Sequence, residues 1–105
     1  MKWKSIIQED DGTCYLCRIL HDDWSIKKDL EKHHIFGGNR WREISEKYGL
    51  YVHLCHSHHR TGSEAVHDSK RSGEMKQLLF IEAERAWLKE KDLKSWMELI
   101  GKNWI

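Results

Sequence analysis

Two short pairs constrain this chain more than anything else in it: Cys14-Tyr-Leu-Cys17 and Cys55-His-Ser-His58. In each, two thiol or imidazole ligands stand three positions apart, a spacing at which side chains on a tight turn converge on one ion. Zinc takes four such ligands in a tetrahedron. The set Cys14, Cys17, Cys55 and His58 supplies them and uses all three cysteines of the chain. The fourth ligand stays open at this point, because His56 and His59 flank His58 and offer the same imidazole. A structural zinc so held contributes folding energy and ties the N-terminal third of the chain to its middle. Other uses of the cysteines fit less well. An odd number of cysteines is a poor disulfide framework, and no βαβ pattern surrounds Cys14 and Cys17 as a thioredoxin-like redox pair needs. The plain alternative, cysteines as buried hydrophobes beside surface histidines, leaves the repeated spacing unexplained.

A metal staple suits the size of the chain. At 105 residues, it reads as one domain over 1–105 with a modest core. There is no proline and no Gly/Ser-rich linker to mark a boundary. With 39% hydrophobic and 33% charged residues, the chain is expected to be globular and soluble. No run approaches the roughly 20 apolar residues of a membrane span. The opening MKWKSIIQEDDG does not resemble a signal peptide, so a cytoplasmic protein is expected. The formal net charge of +1 argues against tight nonspecific coating of nucleic acid. It does not weigh against a protein that meets phosphate through a bound cation.

Patterning predicts an α+β fold. Residues 1–12 form a short amphipathic lead-in anchored by Trp3, Ile6 and Ile7, and Asp11-Gly12 signals a turn. Residues 18–28 read as a polar surface crossing. Leu30 to Phe36 reads as a strand running into Gly37-Gly38. Trp41, Ile44 and Tyr48 recur at helical spacing from a cap at Asn39 to a stop at Gly49. Leu50 to Leu54 is a second strand, and Cys55 to Arg60 opens a short helix stopped by Thr61-Gly62. From Glu74, the residues Met75, Leu78, Leu79, Ala83, Ala86 and Trp87 form one helical stripe, read as core. A further helix carries Trp96, Met97, Leu99 and Ile100 and stops at Gly101.

Eight histidines accompany this pattern, and seven of them form the pair His33-His34 or lie between positions 53 and 67: His33, His34, His53, His56, His58, His59 and His67 crowd these two stretches, with His21 apart. Such clustering favours metal chemistry over scattered structural roles. Strand, strand, then helix, with histidines ending the first strand and on the helix, resembles the ββα-metal layout of the HNH endonuclease family. The residues that carry the resemblance are Leu30-Glu-Lys-His-His-Ile-Phe-Gly-Gly38 and Leu50-Tyr-Val-His-Leu-Cys-His-Ser-His-His59, with Cys14-x-x-Cys17 as an upstream zinc pair. Within the family the likeness is to small phage-encoded members, and it covers residues 14–67. It implies a ββα core with its zinc knot and a C-terminal helical segment over about 74–101.

The resemblance also implies roles. His34 aligns with the general base, His33 and His59 with ligands of a catalytic metal, and His58 with the fourth zinc position; His67 is a further ligand or phosphate contact. The expected activity is metal-dependent hydrolysis of DNA phosphodiester bonds, with DNA and phage recombination or packaging proteins as partners. The chemistry is coherent in itself. A neutral imidazole can take a proton from water near neutral pH, and a divalent ion stabilises charge on phosphate and leaving oxygen. Neighbours on a strand point to opposite faces, so His33 and His34 serve one site only if the backbone twists them together, and their roles can be exchanged. The chain departs from the family in two places. The family's central asparagine aligns near Leu50, with Asn39 the only asparagine nearby, and histidine replaces aspartate at 33. Imidazole ligands tilt the site toward zinc, manganese or nickel and away from magnesium.

Further candidates carry less signal. Arg40 and Arg42 suit a phosphate backbone and equally suit a solvated helix face. Arg60, Lys70 and Arg71 can extend a positive edge, and Glu64 can ligate metal or orient His67. Six tryptophans invite base stacking, but Trp87, Trp96 and Trp104 sit where packing explains them. The missing asparagine and low charge favour a second function: a zinc-stabilised adaptor for nucleic acid or protein with a degenerate site.

Overall fold

The computed structural model describes residues 4–67 and 69–105. Trp3, expected as an anchor, lies outside them. The described chain is a small α+β fold with one two-stranded sheet and several helices.

The first helix, α1, spans Tyr15–His21, directly after Cys14. This corrects the reading of 18–28 as a surface crossing. Leu16 is fully buried, and Leu20, one turn on, packs against the same core, but seven residues are too few to display a period. Asp22 ends the helix at φ 51°, and its N–H returns to the Arg18 carbonyl at 3.0 Å. The chain then doubles back on the 11–12 turn through a bridge between Thr13 and Ile26.

Strand β1 (Glu31–His34) pairs antiparallel with β2 (Tyr51–Leu54), with His33 opposite Val52 and His34 opposite Tyr51. Alternation divides the ladder. Glu31, His33, Val52 and Leu54 share the face toward the core, and Lys32, His34, Tyr51 and His53 share the other. Ile35 and Phe36 are buried beyond the ladder rather than within it. Between the strands, helix α2 spans Asn39–Tyr48. Asn39 is its first helical residue, not its cap. Gly38, at φ 91°, holds the cap position without a side-chain bond. Ser45 locks α2 to the end of β1: its hydroxyl accepts from the Phe36 N–H at 3.1 Å and donates to the Phe36 carbonyl at 2.9 Å. Gly49 ends α2 at φ 73°, where a Cβ would strike the Lys4 carbonyl oxygen. The segment before α1 covers the outer edge of β2: Ser5 donates to the Tyr51 carbonyl at 2.6 Å, and Gln8 accepts from the His53 N–H at 2.7 Å.

After β2 the expected short helix is a single π-helical turn, Ser57–Thr61. Helix α3 (Ser72–Leu88) starts two residues before the expected Glu74, and α4 (Leu93–Leu99) is capped by Asp92, whose carboxylate accepts from the Ser95 N–H at 2.9 Å. Leu16, Leu50, Val52, Leu54, Val66, Met75, Leu79, Ala83 and Trp96 form one buried cluster with Cys14. Phe36, Phe80, Trp96 and Trp104 close its far end, with Phe36 stacked on Phe80 at 5.2 Å. Trp87 and Trp96 are buried as packing anchors, whereas Trp24 is 55% exposed and Trp41 39%. No helix among the described residues is long and apolar enough to cross a membrane.

Candidate metal centres

The fold brings both expected sets together, in two places. Cys14 and Cys17 open α1, and Cys55 and His58 bracket the entry to the π turn. Their ligand atoms all lie within 4.8 Å of one another. The Nδ1 atom of His58 stands 3.7 Å from Cys14 Sγ, 3.2 Å from Cys17 Sγ and 3.4 Å from Cys55 Sγ, and the Cys17 and Cys55 sulfurs are 3.8 Å apart. A tetrahedron with Zn–S of about 2.3 Å and Zn–N of about 2.05 Å has edges of about 3.8 Å between sulfurs and about 3.5 Å between sulfur and nitrogen. The observed separations match those edges, so this Cys₃His cluster can hold a metal such as zinc. The open choice of fourth ligand falls to His58; His56 and His59 turn to Glu31 instead. Burial pushes the Cys14 and Cys17 thiols above their ordinary range, and for Cys17 the neighbouring sulfurs add to the rise. A divalent cation among them reverses that balance and favours the thiolates.

The other ring nitrogen of His58, Nε2, faces Glu64 Oε1 at 3.5 Å. The same Glu64 oxygen lies 2.7 Å from His21 Nε2 on α1, and Oε2 accepts from Arg71 at 2.8 Å. Glu64 therefore backs the Cys₃His cluster. It was expected as a metal ligand or as a partner of His67, and with His21 and His58 it forms a third group whose ligand atoms lie within 4.8 Å of one another. The contact with His21 holds its carboxyl below the ordinary range.

His33, His59 and His67 form the second set, each offering a ring nitrogen within 4.8 Å of the others. Their ring centroids are 4.9 to 5.4 Å apart. β1 supplies His33 from its inner face and the π turn supplies His59. The loop after that turn supplies His67, whose N–H bonds the His59 carbonyl at 3.2 Å. Burial, with His59 and His67 adding to it, holds His33 down at about 3, so it is a neutral imidazole at ordinary pH, the form that binds a cation. Glu31 Oε1 stands 3.1 Å from His59 Nδ1, which leaves Nε2 as the nitrogen open to a cation. Glu31 was not singled out from the sequence. The signal was present in the period of two, which puts Glu31 on the face of His33.

His34 does not join this cluster. The strand keeps its pleat, and His34 points to the opposite face, where Nε2 lies 2.8 Å from Glu46 Oε2 and the ring meets Tyr51 edge-on at 6.2 Å. Lys32 bonds the same carboxylate at 2.9 Å. Lys32, His34, Arg42, Glu43, Glu46 and Lys47 line a shallow open groove on this face. Arg40 and Arg42 are exposed on α2. Arg60 lies 3.8 Å from Glu31, and Arg71 is bound to Glu64 and Glu74, so neither is an unpaired cation. Comparison with protein-family models, curated proteins and solved structures finds no match to this chain, and its reading therefore rests on these two clusters.

Proposed function

We propose that this chain is a metal-dependent nuclease acting on DNA phosphodiester bonds, with a structural zinc at Cys14, Cys17, Cys55 and His58 and a reactive divalent ion at His33, His59 and His67. The observation that carries the reading is the existence of a second, separate three-histidine cluster beside a complete four-ligand one. A four-ligand site is closed and serves structure, whereas a three-ligand site leaves positions for water and substrate. A divalent ion bound there supplies Lewis acidity toward a phosphoryl oxygen and its developing charge. The chain's own residues supply the rest. Glu31 orients His59, and burial keeps His33 neutral as a ligand. His34, the base that the resemblance implies, points to the opposite face of the ladder with its ring bound to Glu46, so in this reading it is not the group that takes the proton from water at the ion.

A second reading is favoured by one observation: His34 and the three-histidine cluster lie on opposite faces of the ladder. In that reading the protein is a zinc-stabilised adaptor for nucleic acid or protein, and the histidines have no chemistry. A DNA-cleavage assay with added Mn²⁺, Ni²⁺, Zn²⁺ or Mg²⁺ separates the two. Wild type is expected to cut. His59→Ala is expected to lose cutting while keeping one tightly held zinc, and His34→Ala to keep cutting. Loss of cutting in His34→Ala with the zinc retained returns His34 to the mechanism, and no cutting with any metal favours the adaptor.

A further inference from the structure

The two clusters meet at consecutive residues. His58 belongs to the Cys₃His set and His59 to the three-histidine set, both buried on one π-helical turn. The loop that carries the third histidine hangs from the same turn. Its Val66 N–H bonds the His58 carbonyl at 2.9 Å, and its His67 N–H bonds the His59 carbonyl at 3.2 Å. Glu64, in that loop, faces His58 Nε2 at 3.5 Å from behind and is itself held by His21 of α1 and by Arg71 at the start of α3. One side chain thus connects the imidazole of the first cluster to the backbone that positions His67 in the second.

We propose that Glu64 is a positioning residue that couples the two clusters, so that zinc at Cys14, Cys17, Cys55 and His58 organises His67 and raises the affinity of the His33, His59 and His67 cluster for its ion. The physical route is short. A cation on His58 Nδ1 makes Nε2–H a stronger donor and fixes the ring, and Glu64 answers to both. Fixing Glu64 fixes residues 64–67, and the entropic cost of ordering His67 is met before the second ion arrives. Coupling between sites is reciprocal and typically 5- to 150-fold. The part of this that concerns a second ion rests on the three-histidine cluster being a metal site; the ordering of the loop does not.

Two measurements on the full chain test it. In the first, amide hydrogen exchange is followed at Val66 and His67 with one equivalent of zinc bound. Protection is expected to fall at least tenfold in Glu64→Ala and to be largely restored in Glu64→Gln, whose amide oxygen still accepts from His58. In the second, the zinc-loaded protein is titrated calorimetrically with Ni²⁺. Wild type is expected to bind one ion, His59→Ala none, and Glu64→Ala about 5- to 150-fold more weakly than wild type, the usual size of a coupling between sites. Binding of Co²⁺ to the thiolates, read from its near-ultraviolet absorption, confirms that each variant retains the first cluster; a Glu64→Ala chain that loses it is replaced by Arg71→Ala, which frees Glu64 Oε2 and is expected to lose protection in the same direction. Unchanged protection at Val66 and His67 overturns the coupling. Changed protection with no Ni²⁺ bound by wild type overturns the second metal site and leaves the loop-ordering role of Glu64 standing.

Discussion

At the scale of single residues, His33 has the most exacting environment. It is buried against His59 and His67, and burial, with those two imidazoles, holds its pKa at about 3 against an ordinary 6.5. The sign follows from which state protonates first. As pH falls below about 6.5, the unfolded chain takes a proton at this position and the folded chain does not. Folding stability is therefore whole above about pH 6.5 and declines through the window from 6.5 toward 3, by up to about 1.4 kcal/mol per pH unit for one group. Urea unfolding at pH 7 and pH 5, compared between wild type and His33→Gln, is expected to show a smaller acid loss in the variant. Equal losses in both place the acid sensitivity elsewhere. The ligand identities were legible in sequence because chelation leaves a local mark: Cys14 and Cys17 or Cys55 and His58 stand three apart. Their partners were not. Glu64 reaches His58, His21 and Arg71, and Glu46 reaches His34, only through tertiary placement that no spacing encodes.

At the scale of elements, the strands, α2 and the long C-terminal helix were readable because each carries a run of period 2 or 3.6 bounded by glycine or a polar turn. Helix α1 was hidden by its brevity. The π turn was hidden because a run of Cys, His and Ser has no hydrophobic period to mark its winding. How α2 is held also escaped the sequence. Ser45 reads as a polar helical residue, yet it is fully buried and serves both backbone groups of Phe36. Ser45→Ala leaves a buried N–H and a buried carbonyl without that partner. Each orphaned group costs about 1 to 3 kcal/mol, so chemical denaturation is expected to show a loss of about 2 to 4 kcal/mol. Zinc stoichiometry is expected to stay unchanged, because Ser45 touches neither cluster. A loss below about 0.5 kcal/mol means that water replaces the hydroxyl.

At the scale of the whole molecule, the question is whether the zinc cluster stabilises a local knot or the entire fold. Cys14 and Cys17 lie 38 to 44 positions from their partners Cys55 and His58. Closing a loop of that length in the absence of an ion costs entropy that a modest core must offset alone. The core is also continuous. Cys14 belongs to the same buried cluster as Val52, Leu79 and Trp96, and Trp96 contacts Phe36 and Trp104. A single contiguous core melts as one unit. Chelating the metal is therefore expected to unfold more than residues 14–67. Helical circular dichroism and the fluorescence of Trp87, Trp96 and Trp104 should be lost together, along one curve in chelator concentration, and should return together on adding zinc. Cys17→Ser should behave as the chelated protein without chelator. A different outcome is equally readable: if the helical signal of α3 and α4 persists after the metal has gone, with tryptophan emission still that of buried indoles, the C-terminal helices are a separate folding unit. The zinc then stabilises only the strands and turn that hold the histidines, and the coupling between structure and site is confined to the residues that Glu64 joins.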